Sequence, residues 1–297
     1  MAQGTKLNPR KYLKDSGFIF DAKPAQLDKR FYKMLSPEDQ ETVEQVWSAA
    51  AMGLDISSEL YTVPKNLKQA CTLFSHDADR YIVSMGWIAD LVERTNPTSL
   101  VEMGCGAGLL INYLQRKAPH LVLNGIDEAK NLIEIGRSLT NLDLIAGDYQ
   151  TAEPDDEYEL IVCEFGYDNS SIPPSKKPHS AAQCGLASYC PGCAEDGRTH
   201  FREYMAAWRR WGTAGSRLAM VGRMTDYTDI RAVTLAARDV GWYVHLEHSA
   251  ILRIRDERRG SQKFPAWFFT TEEAGAASEE DIANFYMTGK SVQAPVQ

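Results

Sequence analysis

Apolar residues recur along this chain in two ways. At 99–103, 121–126 and 158–163 they gather in short runs, as expected for strands covered on both faces, and 143–150 offers a further strand ending in Gly147 and Asp148. After the first run Leu109, Leu110, Tyr113 and Leu114 return at helical spacing, and before it Ile82, Met85, Ala89 and Val92 do the same. The second of these helices spans 77–93 and stops before Asn96-Pro97. Strand and helix therefore alternate through the middle of the chain.

The ends read differently. Ser36-Pro37-Glu38-Asp39 is a helix start, with a hydroxyl cap, Pro in the first turn and acids where the helix dipole favours them; Gly53 closes that helix. After a long segment at 165–197 the pattern predicts a helix at 198–211, a strand at 218–221 and a helix at 226–240. Two β-rich runs, 242–254 and 264–271, flank a charged turn containing Gly260 and predict a hairpin. A short helix is expected at 279–287, and no internal repeat is present. The organisation expected is a helical cap at 1–75, a core at 76–271 with an insertion at about 165–197, and a tail at 272–297.

Composition narrows the class. With 297 residues, 44% hydrophobic and 24% charged, the chain has the make-up of a globular protein. A net charge of −8 argues against a nucleic-acid partner, which needs a basic field. Arg209-Arg210 and Arg253, Arg255, Arg258 and Arg259 are the local exceptions, and Asp256 and Glu257 make the second group a solvated hairpin face. No apolar run approaches the roughly 20 residues of a membrane helix, and Met1 to Gly4 do not open a signal peptide. The expected location is the cytoplasm, with the six cysteines mostly reduced and Cys105 and Cys163 as small buried fillers.

The chemistry lies in VEMGCGAGLL, 101–110. Glycine lets a ligand approach the main chain, and a glycine turn opening a helix aims free N–H groups at what binds there. A phosphate-cradling loop needs Gly-Lys-Ser/Thr, but Leu109 and Leu110 follow Gly108. The dinucleotide fingerprint needs a third glycine where Leu109 stands, so it is met only in part.

Glu102-x-Gly104-x-Gly106-x-Gly108 resembles the first motif of the class I S-adenosylmethionine-dependent methyltransferases. The resemblance covers about 98–271. It implies an α/β fold, a doubly wound, mostly parallel seven-stranded sheet ending in an antiparallel hairpin, here with an N-terminal helical cap. It implies that the turn, through Glu102, Gly104, Cys105, Gly106 and Gly108, passes around the methionyl part of the cofactor. Asp127, at the end of the second strand, would accept the ribose hydroxyls, with Glu128 beside it. Gly147, Asp148 and Tyr149 would hold the adenine, Glu164 and Phe165 would face cofactor and substrate, and Tyr81, with His76 a weaker candidate, would close over the cofactor. S-Adenosylmethionine would donate its methyl group in line to an acceptor, leaving S-adenosylhomocysteine. For a hydroxyl acceptor Glu164, His179 and His200 are the candidate bases. Cys163-Glu164-Phe165-Gly166 departs from the Asn/Asp-Pro-Pro-aromatic run of enzymes that methylate base amines, which disfavours base methylation.

The insertion holds Cys184, Cys190 and Cys193. Cys190-Pro-Gly-Cys193 is a Cys-x-x-Cys knuckle, and Cys184 with His200 or His179 would complete a zinc set; a reducible cysteine pair or a plain loop is the alternative. A loop of this length inside a domain commonly lies over a binding site. The expectation is a methyltransferase for a small-molecule acceptor, compatible with a homodimer. A nicotinamide-dependent oxidoreductase using the same turn, and a non-catalytic cofactor-binding protein using the Cys-rich loop for a partner, are the other readings.

Overall fold

A computed structural model describes residues 7–54, 56–167, 190–224, 226–256, 260–289 and 291–293. Among the described residues five α-helices precede the first strand: α1 Pro9–Ser16, α2 Pro24–Tyr32, α3 Pro37–Ala51, α4 Leu67–Phe74 and α5 Ala78–Thr95. Their ends follow local chemistry. Asn8, Ser36 and Asn66 accept backbone N–H groups of the first turns of α1, α3 and α4, while Gly17 and Asn96 close α1 and α5 in the left-handed conformation. Gly53, at φ +78°, follows α3 as expected.

The alternating part follows. It comprises β1 Ser99–Met103, α6 Leu109–Lys117, β2 Val122–Asp127, α7 Lys130–Thr140, β3 Ile145–Ala146 and β4 Tyr158–Glu164. Beyond 190 come α8 Pro191–Arg209, β5 Gly212–Val221, α9 Tyr227–Asp239, β6 Tyr243–Val244, β7 Ala250–Asp256, β8 Gly260–Thr270, α10 Glu279–Thr288 and β9 Ser291–Gln293. Among the described residues these strands form one sheet in the order β3-β2-β1-β4-β5-β8-β7-β9, with β6 on β8. The first five run parallel, and β8 lies antiparallel between β5 and β7. The expected seven-stranded sheet with its antiparallel hairpin is present, and β6 and β9 add short pieces to it.

Four elements differ from the sequence pattern. Helix α8 starts at Pro191 rather than 198, because a Pro in the first turn has no N–H to leave unsatisfied. Strand β5 starts at Gly212 rather than 218 and pairs with β4 through a register shift. Strand β3 is two residues long, since Asp148 ends it in a turn by accepting from Gln150 N at 2.7 Å. The run at 242–254 breaks, because Ser249 folds back on Leu246 O and His245 O between β6 and β7.

Strand periodicity divides the core in two. Leu100, Leu160, Val162, Ala219 and Val221 point to one face, where α1, α4, α5, α6 and α7 contribute Tyr12, Cys71, Met85, Leu110 and Ile133. Val101, Met103, Ile161, Cys163, Leu218 and Met220 point to the other, against Trp208 of α8 and Ile230 and Val233 of α9. The even positions of β1 and β4 thus face α5, and carried two residues further they place Glu102 and Glu164 on that same side.

Helices α8 and α9 are joined by a two-point pair, Arg198 Nε to Asp239 Oδ2 and Nη2 to Oδ1, each 2.7 Å. The Arg198 hydrogen bonds hold the Asp239 carboxyl below its ordinary value. The stability this lends is present above the unfolded pKa near ~3.9 and is lost as pH falls through the lower folded value. Both side chains are partly exposed, so Asp239→Asn should cost no more than about 1 kcal/mol at pH 7. In urea unfolding the difference from wild type should disappear once the pH is below the folded value.

Candidate functional site

The site is built on the tips of β1, β2 and β4. Gly104, Gly106 and Gly108 all have positive φ, +75°, +51° and +66°, a sequence of conformations that side chains rarely adopt. Ile126 O, at the end of β2, accepts from Gly104 N at 2.8 Å and Cys105 N at 3.1 Å. Asp127 completes the hold: its Oδ2 accepts from Gly106 N and its Oδ1 from Ala129 N, both at 2.8 Å. One carboxylate therefore fixes the glycine turn and the entry to α7, and each oxygen keeps a further lone pair. Burial raises the proton affinity of Asp127, and the two amides oppose that rise.

The turn is also pinned from β4. A Cβ on Gly104 would lie 2.5 Å from Gly166 Cα, and one on Gly166 would lie 2.1 Å from Met103 O. The backbone between is strained: Phe165, with a bulky side chain, sits at φ +53°. Gly166 O accepts from Tyr149 Oη at 2.7 Å. Tyr149 is thus a strut from the end of β3 to the tip of β4.

On the α5 side of these tips lies a buried polar group. Glu164 is 7% exposed and Glu102 3%; Glu164 Oε1 accepts from Ser84 Oγ at 2.7 Å, whereas Glu102 Oε2 has no partner. Burial pushes both carboxyls up, with Glu164 adding to the shift at Glu102, and Arg80 and Ser84 opposing it at Glu164. Arg80, one turn before Ser84, lies over the rings of both Tyr81 and Phe165, its guanidinium carbon 4.5 and 4.7 Å from their centres.

The other expected residues fall as follows. Cys105 is a buried filler whose Sγ occupies the space beside Gly125. Glu128 is exposed, Gly147 N donates to Asp127 O at 2.9 Å, and the Asp148 carboxylate is taken up in its own turn. His76 points away to Asp28 Oδ1, 3.0 Å. His200 lies on α8 with its ring edge-on to Tyr204 and Phe201. His179 and Cys184 lie outside the described residues. Cys190 stands at the N-cap of α8 and Cys193 in its first turn. Among the described residues no three His, Cys, Asp or Glu side chains gather as a metal set, so the zinc reading rests on residues outside them.

Arg80, Ser84 and Gly166 were missed. Gly166 stands in the quoted run after β4, and a glycine directly after a strand and a bulky residue was the available signal. Arg80 and Ser84 carried none, because an Arg and a Ser on a helix are ordinary solvent-facing residues until the packing is known.

Parallel strands β3-β2-β1-β4-β5 continued by an antiparallel strand between β5 and the next, with a glycine turn after β1 and an acid after β2, decide the fold. It is the fold of the class I S-adenosylmethionine-dependent methyltransferases. No family model matches the chain. The demethylmenaquinone methyltransferase of Thermotoga maritima is 31% identical over 121 residues, which covers 36% of this chain and 53% of that protein; the chain thus spans about half the length of this curated relative. Two solved methyltransferases are also similar. A TehB-like S-adenosylmethionine-dependent enzyme from Corynebacterium glutamicum has a TM-score of 0.41 and 17% identity over 79% of this chain and 98% of the other. An amino pentose methyltransferase from Micromonospora echinaspora has a TM-score of 0.38 and 15% identity over 62% and 89%.

Two substitutions test this geometry of the methyltransferase fold. Gly166→Ala should destabilise the protein by about 1–3 kcal/mol through overpacking against Met103 O, measured by chemical denaturation. Glu102→Gln should act in the opposite direction. The wild-type carboxyl costs nothing extra below its unfolded pKa near ~4.3, and stability is lost as pH rises toward its higher folded value. The variant should therefore match wild type at pH 4 and exceed it by about 1 kcal/mol or more at neutral pH, the order expected for a buried group without a partner.

Proposed function

We propose that the protein is an S-adenosylmethionine-dependent methyltransferase acting on a small-molecule acceptor in the cytoplasm. The observation that carries this reading is the turn of three positive-φ glycines held through Gly106 by the Asp127 carboxylate. Such a turn offers bare backbone to the methionyl part of the cofactor, while the remaining lone pairs of Asp127 suit the two ribose hydroxyls. The buried acceptor Glu102 Oε2 and the buried donor Arg80 Nε, both without partners, fit a ligand that carries an amino group and a carboxylate. When bound, the cofactor supplies a methyl group activated on sulfonium.

The residues of the chain do the rest. Gly104 to Gly108 and Asp127 orient, and Phe165, Tyr81 and the buried surroundings exclude water, so that the acceptor meets the methyl group in line. We read Glu164 as a neighbour of the cofactor and not as the base, because it already accepts from Ser84; proton removal from a hydroxyl acceptor would fall to His200 or His179. The net charge of −8 favours a small acceptor over nucleic acid. Among the described residues no helix is long and apolar enough to cross a membrane.

Calorimetric titration decides between cofactors. Wild-type protein should bind S-adenosylhomocysteine and not NADH; the reverse would favour the oxidoreductase. Asp127→Ala should weaken S-adenosylhomocysteine binding by about 1–3 kcal/mol through loss of charged hydrogen bonds. Unchanged affinity would remove Asp127 from the ribose site.

A further inference from the structure

Among the described residues the cysteines fall into two kinds. Cys71, Cys105 and Cys163 are buried, and burial pushes all three thiols up, Cys71 to about 12. Such thiols are inert. Cys190 and Cys193 are only half-buried, and they stand together at the start of α8.

Their positions on that helix bring the two side chains to one place. Cys190 is the N-cap, with extended backbone at φ −123° and ψ 112°, and Cys193 is the third residue of the helix. In a capping box these are the two positions whose side chains reach toward each other, and residues three apart share a helix face. Gly192 between them carries no side chain to stand in the way.

The same place favours a thiolate. Helices α1, α3, α4, α9 and α10 open on Asn, Ser or Asp, whose oxygens accept backbone N–H groups of the first turn, whereas α8 opens on a sulfur. A helix N-terminus lowers the pKa of a thiol placed there, because the N–H groups of the first turn favour the anion. No acid in the first turn of α8 opposes this, unlike those of α3, α9 and α10. Cys190 N donates to Thr228 Oγ1 of α9 at 3.0 Å, which anchors the backbone from which the thiol projects.

We propose that Cys190 and Cys193 form a thiol–disulfide exchange site, with Cys190 as the attacking thiolate. In the oxidising direction Cys190 attacks one sulfur of a low-molecular-weight disulfide, and the first small thiol leaves. Cys193 gives up its proton and attacks Cys190 Sγ of the mixed disulfide, and the second small thiol leaves. One protein dithiol and one small disulfide become one protein disulfide and two small thiols, two electrons passing from the cysteines to the small disulfide. A small dithiol reverses the reaction. Neither cysteine belongs to the cofactor site, so the exchange is independent of the methyltransferase reading.

The test is equilibration of the folded full chain, without oxygen, at stepped ratios of oxidised to reduced glutathione, followed by acid quench, alkylation and peptide mass mapping. As the ratio rises, the peptide spanning Cys190 and Cys193 should lose the mass of two hydrogens and regain it with dithiothreitol. Cys184→Ser should behave as wild type. Cys193→Ser should stop at a glutathione adduct on Cys190, and Cys190→Ser should form less on Cys193, by about 3- to 10-fold. Cys71, Cys105 and Cys163 should stay unmodified throughout, which also certifies that each variant is folded. A bond from either residue to Cys184, an adduct formed equally or more on Cys193, or a peptide that stays reduced at every ratio overturns the proposal. Resistance of both thiols to alkylation in the folded protein until a chelator is added also overturns it, because the pair would then be metal ligands.

Discussion

The contact between Gly104 and Gly166 governs the rest of the molecule's working end. Two backbones meet there with no room for a Cβ on either side, so the tip of β1 and the tip of β4 are joined at a fixed separation. Parallel strands alone align their hydrogen bonds but leave the loops beyond them free. Closing the loops on each other holds the glycine turn open on its far side, where Asp127 takes Gly106 N. It also forces Phe165 into a positive φ, which brings its ring onto Arg80.

Energetically the site runs against the fold around it. The two faces of the sheet are covered by tightly packed apolar side chains, with Trp208, Trp211, Trp242 and Trp267 almost wholly buried. At the strand tips the same burial encloses Glu102, Glu164 and Arg80, groups that favour water. Ser84 and the rings of Tyr81 and Phe165 offset part of that cost. What is not offset, Glu102 Oε2 and Arg80 Nε, marks where a ligand's polar atoms would be most strongly felt. Asp127 differs, since both of its oxygens already have amide partners. It organises the turn whether or not a ligand is present.

The N-terminal helices belong to this arrangement. Helix α5 carries Arg80 and Tyr81 on one turn and Ser84 on the next, and it packs over the sheet through Ile82, Met85 and Ile88. Helix α4 braces it, Phe74 meeting Tyr81, and α1 reaches α6, Tyr12 meeting Tyr113. Helix α5, with α4 behind it, therefore gives the crevice at the strand tips a wall.

Much of this was readable in the sequence. The bounds of β1 follow from its run of apolar residues, α9 begins at the Asp226 cap, and the glycine turn and Asp127 are marked by residue types that few other roles require. These are local properties: periodicity, capping and left-handed backbone depend on neighbours a few positions away. The sequence by itself thus determined the alternation of elements and the place of the glycine turn. Tertiary structure decided the rest. That Gly166 would touch Gly104, that Ser84 would donate to Glu164 and that Arg80 would be buried are outcomes of contacts between segments about 60 to 80 residues apart, or of helix packing against the sheet. The physical reason is that desolvation belongs to the packed assembly. An arginine on a helix is a surface residue or a buried cation according to what lies over it, and nothing in its immediate sequence says which.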